Sequence, residues 1–317
     1  MPMNFYGLLE SVFTITIFIV IGFLLAKLGI IKKSDTSTFS NLIFYVTSPA
    51  LIIYNVTAHF TRELLLSSLL IPLFAMLMTI ISLIAGTLVW KMLKYDDPLQ
   101  KDVFLLTVSF CNTVFIGLPI ITSAYGESIS GFVFFYDLGS GIMLWTLGVN
   151  LASKGTTLGE YEISGSTFKN LINPPVMALI LAVLMVVLGI QLPVAFYKTF
   201  KTLGDVTIPL SLLFIGISIS RSLENEKIFD IKLMLASLIR LIVSPLLLGT
   251  ILYFVPFPII FKKVITVEAA MPSMTFTAIL AARYGKSPLF AAKTIFVTTL
   301  FSMLTVQVVV YLLELVY

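Results

Sequence analysis

The chain has 317 residues, of which 58% are hydrophobic and only 11% charged, with a formal net charge of +4. Ordinary soluble domains carry about 25% charged residues, so a water-soluble globule is excluded: too little polar surface exists to cover it. The basic residues are scattered between apolar stretches rather than clustered, which argues against nucleic acid as a partner and fits the charge pattern of membrane proteins.

A spanning helix needs about 20 mostly apolar residues. The first candidate covers 7–28; no Lys or Arg precedes Lys27, and the stretch is too long for a cleaved signal peptide, so it reads as a retained helix. Spans follow at 38–58, 66–92, 102–124 and 129–153. A polar connection, Lys154 to Phe168, marks the middle of the chain. After it come 169–190, 202–221, 230–254, 258–284 and 289–316. The expected fold is all-α and integral to the membrane, with ten transmembrane helices and no soluble domain.

Placing the basic residues on this pattern orients it. Loops after helices one, three, five, seven and nine carry Lys27, Lys32, Lys33, Lys91, Lys94, Lys101, Lys154, Lys169, Arg221, Lys227, Lys232, Arg283, Lys286 and Lys293. The opposite face carries Arg62, Lys198, Lys201, Lys262 and Lys263, and Arg240 lies within helix eight. Fourteen against five makes the first face cytoplasmic and puts both termini outside, in a multi-pass protein of the plasma membrane.

The halves resemble each other. Leu28-Gly29-Ile30 recurs as Leu188-Gly189-Ile190 and Val46-Thr47-Ser48-Pro49 as Val206-Thr207-Ile208-Pro209, both at an offset of 160; Tyr125-Gly126 recurs as Tyr284-Gly285 at 159. The repeat unit would be five helices: 1–153, then a cytoplasmic connecting loop over 154–168, then 169–317. An odd number of spans enters the second copy upside down, the inverted repeat of many secondary transporters.

Helix four reads Ser109-Phe110-Cys111-Asn112-Thr113-Val114-Phe115-Ile116-Gly117-Leu118-Pro119, and its counterpart, helix nine, Val267-Glu268-Ala269-Ala270-Met271-Pro272-Ser273-Met274-Thr275. Each places helix-breaking and polar residues near mid-span, with breaks expected at Gly117, Pro119 and Pro272. A break in the hydrocarbon region survives where it lines a protein cavity, and a half-helix beginning there offers an N-terminus worth roughly half a positive charge, suited to a carboxylate. One such helix reads as a plain proline kink; two at matching repeat positions point to a binding site.

Glu268 is the most informative residue. A mid-membrane carboxylate costs roughly 2.5–3.5 kcal/mol on insertion scales, so it pairs, protonates or holds a cation; Arg240 is the candidate partner for a structural ion pair. Asp137, with Ser140 and Thr146 on the same helix, is either a second cation or proton group or a residue near the outer surface. Pro49 and Pro209 read as bends, His59 as a solvated loop residue, and Cys111, the only cysteine, as a small core residue that could line the cavity.

Cys111-Asn112-Thr113 through Gly117-Leu118-Pro119, Tyr125-Gly126, Ala270-Met271-Pro272 and Tyr284-Gly285 resemble the auxin efflux carrier family, as do Val46–Pro49, Trp145-Thr146-Leu147-Gly148 and Thr207–Pro209. The resemblance covers essentially the whole chain. It implies a scaffold of helices one, two, six and seven, a mobile transport domain of helices three to five and eight to ten, elevator-type alternating access, and broken helices four and nine crossing at the substrate site. Asn112 then matches the crossover asparagine and Pro272 the helix-nine proline. Plant members have proline at Cys111, no acid at Glu268 and a longer central loop. The related bile acid–sodium symporter fold has a glutamate followed three residues later by methionine, as Glu268 and Met271 stand here, which implies a sodium or proton site.

The expected substrate-binding residues are therefore Cys111, Asn112, Thr113, Met271, Pro272 and Ser273, and the expected ion-coupling residues Glu268, Asp137 and Ser140. The expected partners are a small organic anion (auxin-like or a dicarboxylate), membrane lipid and a second copy docked through the scaffold helices. No cofactor is expected beyond sodium or a proton at Glu268. The alternatives are a sodium-coupled symporter of a bile acid-like amphipathic anion, and a channel. A channel would show charged or carbonyl-rich rings, and an intramembrane enzyme a nucleophile–base pair or metal cluster; the sequence shows neither.

Overall fold

The computed structural model describes residues 5–32, 35–95, 97–154, 174–222 and 230–317. Of the expected connecting loop over 154–168, all but Lys154 lies outside the described residues, as do the basic positions Lys33, Lys169 and Lys227. Among those described the chain is helical, without a strand; the one β-type pairing is an isolated antiparallel bridge between Cys111 and Ser273.

Among the described residues, five helices are long and apolar enough to cross a membrane: Arg62–Leu93, Glu127–Ser153, Val194–Ile217, Ile231–Phe254 and Pro288–Val316. Shorter apolar helices run over Thr16–Lys27, Thr113–Tyr125 and Pro174–Leu188. Burial is inverted relative to a soluble protein. Leu73, Ile84, Leu88, Leu304 and Leu315 are exposed, while Arg240 and Glu268 are wholly buried. Lipid solvates the first group and not the second. The chain is a multi-pass membrane protein.

Two compact units are formed. The first contains Met1–Leu70, Val114–Phe135 and Leu171–Arg221; the second Ile71–Thr113, Tyr136–Asn170 and Ser222–Tyr317. In the first, backbones touch at glycines. A Cβ on Gly22 would stand 2.2 Å from the Leu213 carbonyl oxygen, and one on Gly216 would stand 2.0 Å from that of Ile19. Within lipid no hydrophobic drive separates helix from solvent, so close approach of this kind supplies the attraction. In the second unit, Trp90, Phe104, Val108, Leu233, Ile239, Phe290 and Val297 form an apolar core. Lys286 pairs with the buried Asp102, and Lys263 with Glu314 at 2.8 Å.

Helix ends follow local chemistry. Asp97 caps Pro98–Ser109 by accepting from the Gln100 amide at 3.0 Å. The glycines of positive φ among the described residues are Gly29, Gly126, Gly189 and Gly285, and these are the four glycines of the matched segments. The first pair ends its helices identically. Gly29 and Ile30 donate to Ala26 and Leu25, and Gly189 and Ile190 donate to Val186 and Met185, both the Schellman pattern.

Wide π-helical turns cover Ile43–Thr47, Thr113–Gly117 and Ile239–Val243, and each directly precedes a helix with proline at its second position: Pro49, Pro119 and Pro245. Proline lacks an N–H and crowds the carbonyl four residues back, so the preceding turn opens. A fourth, Leu144–Gly148, contains Trp145 to Gly148 and has no such proline. Two helices escaped the sequence reading: Arg62–Ser67, capped by Thr61, and Val194–Asp205, whose Lys198, Lys201 and Asp205 disguise it.

Candidate functional site

Two interruptions meet in the second unit. Helix Pro98–Ser109 ends before Phe110, and helical bonding resumes at Thr113; helix Ile259–Ala269 ends before Ala270, and the next helix is Phe276–Arg283. The two non-helical stretches pair with each other. The Asn112 amide donates to the Pro272 carbonyl at 2.8 Å, and the Met274 amide to that of Phe110 at 2.9 Å. These bonds satisfy backbone groups that lipid could not.

Side chains brace the junction. Asn112 Nδ2 donates to Thr275 Oγ1 at 3.2 Å. Ser273 donates its hydroxyl to the Thr107 carbonyl at 2.7 Å and its amide to the Thr298 hydroxyl oxygen at 3.2 Å. The Thr113 hydroxyl donates to Asp137, so the acid anchors the start of the resumed helix. Cys111, Asn112, Thr113, Met271, Pro272 and Ser273 are all buried here, and Ser140 is buried one turn beyond Asp137. Gly117 and Pro119 lie further along the chain, in the first unit, where Pro119 follows the Thr113–Gly117 wide turn. Of the expected breaks, Pro272 lies in the non-helical stretch between Ala269 and Phe276, whereas Gly117 and Pro119 stay in helical turns and the other lapse falls earlier, at Phe110–Asn112.

The two buried charges do not pair. Arg240 donates to the carbonyls of Val108 (3.1 Å), Ser109 (3.4 Å), Met271 (3.1 Å) and Ala269. Neither carboxylate oxygen of Glu268 has a hydrogen-bond partner, although Asp137 and Arg240 are near enough to act on it electrostatically. The ion pair entertained from sequence is thus absent, because four backbone oxygens claim the guanidinium. The sequence placed Arg240 in a span but gave no sign of those oxygens.

Sodium would find part of a ligand set. The two unpartnered Glu268 oxygens fit a hard cation; the neighbouring carbonyls of Ala269 and Met271 already bind Arg240. Among the described residues there is no cluster of three or more His, Cys, Asp or Glu side chains that could hold a metal ion.

A family model described as membrane transport protein matches residues 8–167 and 162–310. The chain belongs to this family, that of the auxin efflux carriers. Similar proteins include an uncharacterised transporter of Methanocaldococcus jannaschii, 27% identical over 94% of this chain and 96% of its own length. Another, from Methanothermobacter thermautotrophicus, is 25% identical over 96% of this chain and 97% of its own. Membership of a transport family makes the chain a membrane transport protein and not an enzyme.

Proposed function

We propose that the protein is a secondary transporter of a small organic anion, working by alternating access. The observation that carries the reading is the junction of Asn112 with Pro272 and Thr275, where two helix interruptions pair and Glu268, at the end of the helix before one of them, keeps a buried carboxylate without a hydrogen-bond partner. The helices starting at Thr113 and Phe276 offer N-terminal dipole charge for a carboxylate. Glu268 takes up a proton or sodium during the cycle, with Asp137 and Ser140 beside that step. The shared caps at Gly29 and Gly189 support a five-plus-five inverted repeat of ten helices, with helices four and nine broken and crossing. Helices one, two, six and seven form the scaffold, and the remainder the moving, elevator-like part.

Ligand-induced stabilisation tests the substrate class. An anion held at a hundred times its Kd stabilises the folded state by about 2.7 kcal/mol. Succinate or indole-3-acetate should therefore raise the melting temperature of the purified protein, where their amide analogues do not; equal shifts from the neutral analogues would contradict an anion site.

The proposed topology has both termini outside the plasma membrane. Lys94 and Lys198 are exposed and Cys111 is buried, so single cysteines introduced at the two lysines report alone. In intact cells an impermeant thiol reagent should label Lys198→Cys and reach Lys94→Cys only after permeabilisation. The opposite pattern inverts the topology.

A further inference from the structure

Arg240 is wholly buried, lies within the span expected over 230–254, and pairs with no carboxylate among the described residues. Its acceptors are all backbone. Val108 and Ser109 close the helix Pro98–Ser109, Ala269 closes Ile259–Ala269, and Met271 follows it by two residues. The last four carbonyls of a helix have no partner within it, and each helix C-terminus carries about half a negative charge. Two such ends meeting in a low-dielectric interior therefore present roughly one negative charge on a set of hard oxygens. A planar guanidinium, always charged and carrying five donors in a fixed fork, answers both the charge and the directions of those oxygens. The segment that supplies it, Ile239–Val243, is the wide turn ahead of Pro245, so a helix defect delivers the side chain.

We propose that Arg240 is a tethered cation: its guanidinium fills a carbonyl cage closed by two helix C-termini, in the role that a bound monovalent metal ion would otherwise play. It is a positioning residue, which holds the Asn112 and Pro272 stretches in register for the substrate. The cage stands independently of the proposed transport function and of the cation that Glu268 takes up; only the consequence for anion uptake rests on that function.

Chemical rescue tests the cage. Arg240→Ala should lower the melting temperature in detergent, and low-millimolar guanidinium chloride should raise it back toward the wild-type value, whereas sodium, potassium or methylammonium chloride at equal ionic strength should not. The wild type, its cage full, should not respond to guanidinium at that concentration. In proteoliposomes, Arg240→Ala should slow succinate or indole-3-acetate uptake at least roughly tenfold, the scale expected when a charge-assisted contact is removed, and guanidinium should restore it. Arg240→Lys should retain part of the stability. A merely structural arginine predicts no recovery of uptake with a freely diffusing ion. The proposal is overturned if guanidinium rescues Arg240→Ala no better than the other cations. Should Arg240→Ala fail to fold, Arg240→Lys against Arg240→Met decides: a cage for a cation predicts that lysine keeps more of the melting temperature than methionine, and equal losses overturn it. If guanidinium rescues stability but no anion binds, the cage stands and the transport reading falls.

Discussion

Glu268→Gln is expected to fold normally, to keep or gain thermal stability, and to lose the dependence of transport on its coupling cation. Its two carboxylate oxygens are buried without a hydrogen-bond partner. An ionised group so placed costs roughly 2.5–3.5 kcal/mol on insertion scales, and an amide of the same shape removes that cost. Were Glu268 the permanent partner of Arg240, the same substitution would strand a buried guanidinium and destabilise the protein by about 3–5 kcal/mol. The structure favours the first outcome, because Arg240 is held by four carbonyl oxygens that the substitution does not touch. Uptake measured across pH, and with sodium replaced by potassium, reads the coupling. A variant that keeps the full wild-type cation dependence, or a wild type that shows none, refutes a coupling role for Glu268.

The membrane character was legible because lipid exposure needs only long apolar runs, which composition reveals. The glycine matches were legible too, and for a backbone reason: Gly29 and Gly189 occupy positive φ at helix ends, a conformation that constrains sequence strongly. The amphipathic Val194–Asp205 helix was not, since Lys198, Lys201 and Asp205 break the apolar run that the reading depended on. Nor were the wide turns, although three of them precede a proline and that signal was available at Pro49, Pro119 and Pro245.

At the candidate site, the polar residues near mid-span announced themselves, because such residues are costly in lipid. Their pairing did not. Asn112 and Thr275 are 163 positions apart, and Arg240 and Val108 are 132 apart. A charge that binds backbone carbonyls leaves no complementary side chain to find in the sequence. That is why Glu268 looked like the partner of Arg240 when the oxygens of Val108, Ser109, Ala269 and Met271 had already taken it.

Asn112→Ala carries the other large effect. In the structure the side-chain amide spends one bond on Thr275, whereas the main-chain bond from Asn112 to Pro272 survives the substitution. The fold should thus lose only about 0.5–1.5 kcal/mol, the net worth of an ordinary hydrogen bond. A donor to a charged ligand is worth more, about 1.5–3 kcal/mol, which is roughly a tenfold to hundredfold loss of affinity. Transport should fall far more than stability does. Counterflow in proteoliposomes measures this directly, with labelled succinate or indole-3-acetate outside and the unlabelled anion loaded within. A carrier that alternates between two faces predicts saturable, transient accumulation of label by the wild type and little or none by Asn112→Ala. Flux that rises without saturation and never overshoots, or an Asn112→Ala variant with wild-type counterflow, would contradict the account.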